Sequence, residues 1–311
     1  MTTALLTHPA GLDHVTPDGH PERVARLEAI LTALDHPDFA ALDRREAPRA
    51  TDAQILRAHP ASHLNQIRAA SPSAGGVSLD PDTHISAGSF EAALRAAGAN
   101  VAAVDLVMAG EVQNAFAAVR PPGHHAEATR PMGFCLFGNA VIGARHALDD
   151  HGLSRVAIVD FDVHHGNGTQ DLVWDDPRIF FASTHQMPLY PGTGRAEERG
   201  AHGQILNVPL APGDGGAAFR SRMERLVLPA LDAHRPEMIF ISAGFDAHRD
   251  DPLANLEFDE DDFVWATREI MAVAGTHSGG RVVSTLEGGY NLAALASSTA
   301  AHVKALMGGA G

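Results

Sequence analysis

The chain has 311 residues, of which 45% are hydrophobic, with a formal net charge of -15 and a single cysteine, Cys135. Such a chain can bury a large core. It shows no Lys/Arg cluster of the kind that binds nucleic acid, it cannot close an intrachain disulfide, and it has no Cys-based zinc motif. Its first residues lack the basic and apolar regions of a signal peptide, and no apolar run approaches the ~20 residues that span a bilayer, so a cytoplasmic protein is expected.

Taken in order, the pattern alternates helix and strand. A helix is expected over Pro21–Leu34, with Pro21 in its first turn. A surface loop over Ser71–Asp82 and a helix over Ser89–Met108 follow. Then come a strand over Phe116–Arg120, a helix over Asn139–Asp150, and strands over Val156–Phe161 and Ile179–Ser183. Gln186–Gly203 is a long Gly- and Pro-rich loop of the functional kind. Beyond it lie a strand over Ile205–Val208 and a helix over Ala217–His234. A strand over Met238–Ser242, a helix over Glu260–Ala274, a strand over Val282–Leu286 and a helix over Leu292–Leu306 complete the chain. Several strands are apolar almost throughout, as strands covered on both faces are. The expectation is an α/β fold of one domain, 1–311, with a mainly parallel β-sheet flanked by helices.

Four segments follow strand-like runs, where open α/β sheets bind ligands. In Arg120-Pro-Pro-Gly-His-His-Ala126 an irregular loop allows His124 and His125 to face one cavity. Alone, the segment equally suits a loop with two solvated histidines. In Asp160-Phe-Asp-Val-His-His-Gly-Asn-Gly168, residues two apart on an extended strand share a face. Asp162 and His164 can therefore hold one metal, with Asp160 a step deeper. The alternative is a helix-capping Asp beside surface histidines. In Ile241-Ser-Ala-Gly-Phe-Asp-Ala-His248 the strand ends in Asp246, which by itself also suits an N-cap. In Leu286-Glu-Gly-Gly-Tyr-Asn291 two glycines permit a turn that aims Tyr290 into a cleft, or simply a buried tyrosine. The four are coherent together. Asp162, His164 and Asp246 form an oxygen/nitrogen set with an open position, the pattern of catalytic rather than structural zinc. Two anionic ligands leave a bound water less acidic than three histidines would, so the paired histidines are expected as base and acid. Tyr290 is expected to donate to the oxyanion.

With these motifs in place, the chain resembles the histone deacetylase superfamily. The likeness is greatest to its class II-like bacterial members, the histone deacetylase-like and acetylpolyamine amidohydrolases on the arginase–deacetylase fold. The matching motifs run from His20-Pro-Glu-Arg23 to Glu287-Gly-Gly-Tyr290 and include Gly-Phe-Cys at 133–135 and Tyr-Pro-Gly-Thr-Gly at 190–194. The resemblance implies Zn²⁺ on Asp162, His164 and Asp246. It implies His124 backed by Asp160 and His125 backed by Asn167, an Asp in class I relatives, with His125 carrying and donating the proton. It implies Tyr290 on the scissile carbonyl, and Gly133, Phe134 and Tyr190 lining an acyl-lysine tunnel. Tyr190 and Gly138 depart from the family's usual residues there. A potassium ion is implied near Asp160, Asp162, His164 and Ser183, and Asp82 matches the loop acid that holds substrate backbone. Leu253 stands where polyamine-selective eukaryotic relatives carry a glutamate, which places lysine deacetylation ahead of acetylpolyamine hydrolysis. A catalytically silent acyl-ligand binder is disfavoured because every catalytic position is filled. An arginase-like manganese site is disfavoured because the bridging carboxylates are missing. The partners implied are an acyl-lysine or other acylated amine and no nucleic acid or membrane; a homo-oligomer stays open.

Overall fold

The computed structural model describes residues 2–308. Its strands are β1 (Thr3–Thr7), β2 (Asp43–Glu46), β3 (Gly76–Ser78), β4 (His84–Ser86), β5 (Asn114–Ala117), β6 (Val156–Asp160), β7 (Ile179–Gln186), β8 (Ile205–Leu210), β9 (Ile239–Ala243) and β10 (Val282–Leu286). Its α-helices are α1 (Val24–Leu34), α2 (Asp52–Ile55), α3 (Ala61–Ala70), α4 (Ser89–Met108), α5 (Asn139–Asp149), α6 (Asn167–Val173), α7 (Gly216–Arg222), α8 (Leu228–His234), α9 (Glu260–His277) and α10 (Leu292–Gly308). Eight strands form one sheet in the order β2-β1-β5-β10-β9-β6-β7-β8. Every pairing in it is parallel.

The apolar strands read as they do because both faces are covered. Along β9, Ile239 and Ile241 join one buried cluster while Phe240 joins the other. In β6, Val156 and Ile158 face one side, and Ala157 and Val159 the opposite one. This two-residue alternation separates a layer containing α4 and α5 from one containing α1, α9 and α10. The expected three-layer α/β architecture is the one observed.

Some boundaries differ from the sequence expectations. The strand expected over Phe116–Arg120 runs Asn114–Ala117, because the chain leaves the sheet towards the Pro-Pro turn. Pro21 lies ahead of its helix, which starts at Val24 with Arg23 as N-cap. The surface loop Ser71–Asp82 contains β3, paired antiparallel with β4. The helix expected over Ala217–His234 runs without a break from Gly216 to His234 but is π-helical at Met223–Val227, which divides it into α7 and α8. β1 and β2 were not anticipated. β1 is short, and β2 reads Asp-Arg-Arg-Glu, an edge strand whose charged side chains carry no hydrophobic pattern. No helix among the described residues is long and apolar enough to cross a membrane.

Candidate active site

Four adjacent strands in the middle of the sheet, β5, β10, β9 and β6, end at one place. β5 leads to His124 and His125, and β6 to Asp160, Asp162 and His164. β9 leads to Asp246, and β10 to Glu287 and Tyr290. Each of these side chains is buried. Ligand atoms of Asp162, His164 and Asp246 all lie within 4.8 Å of one another. His164 Nδ1 is 3.1 Å from Asp162 Oδ1 and 3.1 Å from Asp246 Oδ2. Tetrahedral zinc, with bonds of about 2.0–2.2 Å, spaces its ligand atoms about 3.3 Å apart. The three side chains therefore fit a zinc-sized dication with little movement. Main-chain groups steady them: Gly288 N donates to Asp162 Oδ2 at 2.8 Å and Val163 N to Asp246 Oδ1 at 2.9 Å. Only glycine serves at 288, since a Cβ there would stand 2.1 Å from Asp246 Oδ2.

Beside this cluster the two imidazoles lie with ring centroids 4.0 Å apart. Their partners differ, as the sequence implied. His124 Nδ1 is 3.0 Å from Asp160 Oδ2, and its Nε2 is 3.7 Å from Asp162 Oδ2. His125 Nδ1 is 2.7 Å from Asn167 Oδ1. The Asn167 amide donates to Glu127 Oε1 at 2.8 Å and to Met132 Sδ at 3.3 Å. Its carbonyl end must therefore accept from His125 Nδ1–H, which leaves the Nε2 lone pair of a neutral His125 free.

A cavity of about 200 Å³ descends to these groups. His125, His164 and Tyr290 line its base. Gly133, Phe134, Leu189, Tyr190 and Leu253 line its walls, and Asp82 stands among them. Phe134 adopts φ 69°, a sparsely populated region for a bulky residue. Thr83 Oγ1 accepts from its N–H at 3.1 Å, and the Tyr290 ring packs edge-on at 5.8 Å. The Tyr190 ring stands edge-on to His125 at 5.2 Å and is 38% exposed, so its phenol belongs to the rim.

The histone deacetylase domain family matches residues 20–306. The chain belongs to the histone deacetylase family. It is 42% identical to the chloroplastic histone deacetylase 14 of Arabidopsis thaliana, over 96% of this chain and 75% of that protein. It is 43% identical to the histone deacetylase-like amidohydrolase of Pseudomonas aeruginosa, over 88% of this chain and 73% of the relative. The crystal structure of the HDA15 HD domain superposes with a TM-score of 0.94 at 34% identity, covering 99% of this chain and 90% of that one. The fold is thus the arginase–deacetylase α/β fold, and the protein is a hydrolase of the deacetylase/amidohydrolase type.

In this histone deacetylase-family site the charges are unusual for an interior. Burial raises Asp160 to about 6 and Glu287 to about 7. Burial and the neighbouring Asp162 carboxylate also raise Asp246. Asp162 is held low in spite of burial, by His124 and His164. Burial opposes charge on His164, but Asp162 and Asp246 overcome it and lift the imidazole to about 10. His124 is likewise raised well above its ordinary value, because Asp162 and Asp160 outweigh burial. His125 goes the other way: burial, then His124 and His164, hold it well below. By themselves the protein's own groups thus favour a proton on His124 over one on His125. Tyr290 is pushed well up by burial and stays a hydrogen-bond donor.

Three supporting residues were not assigned roles from sequence. Glu287 accepts from Gly123 N at 2.7 Å, His124 N at 3.1 Å and Ser242 Oγ at 3.1 Å, and so holds the histidine loop. Its signal was present: an acid ending an apolar strand, as at Asp160. Asp251 accepts from Tyr290 N at 2.7 Å and Leu253 N at 3.0 Å. Arg26 donates to Gly289 O and Glu287 O, each at 2.6 Å, and its guanidinium lies 4.8 Å from the Tyr290 ring centroid. Nothing local in the Arg26 sequence points to a turn more than 260 residues away.

Proposed function

We propose that the chain is a zinc-dependent amidohydrolase that removes acetyl groups from lysine side chains. The observation that carries this is the largely apolar cavity lined by His125, His164 and Tyr290, with Asp162 and Asp246 gathered behind His164 within ligand distance of it. An extended aliphatic chain capped by a small amide suits such a shape. Zinc held by those three residues would supply a Lewis acid that polarises the amide carbonyl and acidifies water. His125, neutral and with Nε2 free, takes the proton of the attacking water and then returns one to the departing amine. His124, with its proton shared towards Asp160, stabilises the negative charge that develops on the reacting oxygens. The Tyr290 hydroxyl donates to the former carbonyl oxygen. Potassium would be held by the Asp160 carboxylate, Ser183 and the main-chain carbonyls of Asp160, Asp162 and His164. Ser183 is buried directly opposite Asp160 on the neighbouring strand, in keeping with this.

One observation favours acetylpolyamine hydrolysis as a second reading. Asp82 lines the cavity and offers a carboxylate to a distal ammonium. Leu253 opposes it by making the other side of the rim apolar. The test compares rates on acetyl-lysine peptides, longer acyl-lysines, acetylputrescine and acetylspermidine, before and after chelation. Loss of activity on chelation, its return with zinc, and preference for acetyl-lysine are expected. Full activity without metal would overturn the zinc mechanism, and a tenfold preference for an acetylpolyamine would overturn the substrate assignment.

A further inference from the structure

A second group of metal-ligating side chains lies at the opposite end of the sheet from the active site. Asp105 stands in the last turn of α4, His146 in the last turn of α5, and His151 in the turn that follows α5. Ligand atoms of the three lie within 4.8 Å of one another. Both imidazoles present Nε2 to the same oxygen, Asp105 Oδ1, each at 2.7 Å. The two rings stand edge-to-face with centroids 5.2 Å apart. His146 is buried, its side chain only 7% exposed, whereas those of Asp105 and His151 are 53% and 26% exposed. The group is therefore anchored on one side and open to water on the other.

We infer that Asp105, His146 and His151 form a second zinc site, with water completing the coordination. Two imidazole nitrogens and one carboxylate oxygen make a donor set that divalent zinc accepts. The ligand atoms must open from 2.7 Å to about 3.3 Å, and the exposed Asp105 and partly exposed His151 side chains can move that far. Two helices point their C-terminal, partially negative ends at this place, which favours a cation.

The surroundings of His146 supply the remaining requirement. A metal-bound imidazole normally donates its other ring N–H to a carboxylate. His146 Nδ1 lies 2.7 Å from Asp150 Oδ2 and 2.6 Å from Arg57 Nη1. With Nε2 protonated and donating to Asp105, Nδ1 accepts from Arg57. With Nε2 on zinc, the proton sits on Nδ1 and goes to Asp150. A tautomer shift on each of His146 and His151, whose Nε2 also faces Asp105, exchanges the two states and releases no proton. Counting Asp105 and Asp150 against Arg57, with neutral histidines, the site carries one net negative charge, and Arg57 remains tied to Asp150 by its other amino group.

Zinc content separates this site from the catalytic one. The 311-residue chain is stripped with dipicolinate, dialysed against zinc and measured by elemental analysis. Two zinc ions per chain are expected. Asp105→Asn/His151→Ala, at one exposed and one half-buried position remote from the active site, is expected to keep one ion and an unchanged hydrolysis rate. Asp246→Ala is expected to keep the other, which is lost when the three substitutions are combined. Asp150→Asn should weaken the second ion by about 10- to 100-fold. Zinc content unchanged between the wild-type chain and Asp105→Asn/His151→Ala, whether one ion or two, would overturn the inference, whereas a single wild-type ion lost in that variant would overturn the zinc mechanism instead. An unchanged affinity in Asp150→Asn would remove Asp150 from the site.

Discussion

Asn167 distinguishes the two imidazoles of the active site. Its Oδ1 accepts the His125 Nδ1 proton but brings no charge, while Asp160 brings a carboxylate to His124. If His125 is the base, only its neutral form works. A carboxylate at 167 favours the imidazolium and raises the pKa, so the neutral form is reached only at higher pH. Asn167→Asp is therefore expected to move the acidic limb of the pH profile of kcat/KM upwards. It is best made with Glu127→Gln, because Glu127 accepts from Asn167 and would otherwise repel the new charge. A limb that stays in place would assign proton transfer to another group. Tyr290 offers the companion test. Tyr290→Phe removes the donor and leaves the ring against Phe134, so turnover is expected to fall at least about 100-fold with ligand binding nearly intact. An unchanged turnover would take Tyr290 out of the mechanism.

At the scale of elements, the site is made of turns that follow strands. The strands were readable because burial on both faces forces nearly continuous apolar runs, and their ends were readable because acids and histidines interrupt those runs. Asp162 and His164 were singled out by the two-residue period of an extended strand, but β6 ends at Asp160 and both side chains come from the bend beyond it, which still brings them together. Asp246 and Tyr290 needed the family motifs, since each alone fits a bland role. What stayed illegible has no periodic signal: the charged edge strand β2, the β3–β4 hairpin inside a Gly-rich loop, and the π-turn within an ordinary helical pattern. Asp251 was missed for a related reason. It acts through main-chain N–H groups, which any residue supplies. Its carboxylate joins the turn carrying Tyr290 to the one carrying Leu253. Asp251→Ala frees both, and a displacement near 1 Å costs about 100-fold in rate. A kcat loss of about 10- to 100-fold is expected, largely restored in Asp251→Asn, which keeps an acceptor oxygen. Full activity in Asp251→Ala would show that the turn holds itself.

Across the whole molecule, the fold converges four strand ends and so gathers Asp160, Asp162, Asp246 and Glu287 into one buried place beside His124 and His164. Buried carboxylates are costly unless paired or bound to metal. The three raised carboxylates, Asp160, Asp246 and Glu287, express that cost, and a dication on Asp162, His164 and Asp246 relieves it. Zinc should therefore act on stability as well as on rate. A ligand at one hundred times its Kd adds about 2.7 kcal/mol to the folded state. In a chain of this size each kcal/mol moves Tm by roughly 2 °C. The zinc-loaded protein should thus melt about 5 °C above the chelated one. Asp105→Asn/His151→Ala should keep the active-site part of the increment and lose only the share of the second ion, whereas Asp246→Ala should lose the active-site part, measured by calorimetry at a fixed free-zinc concentration. Equal melting temperatures with and without zinc would mean that the carboxylates are already neutralised by the protein's own protons, and that the central strand ends are stable without a metal.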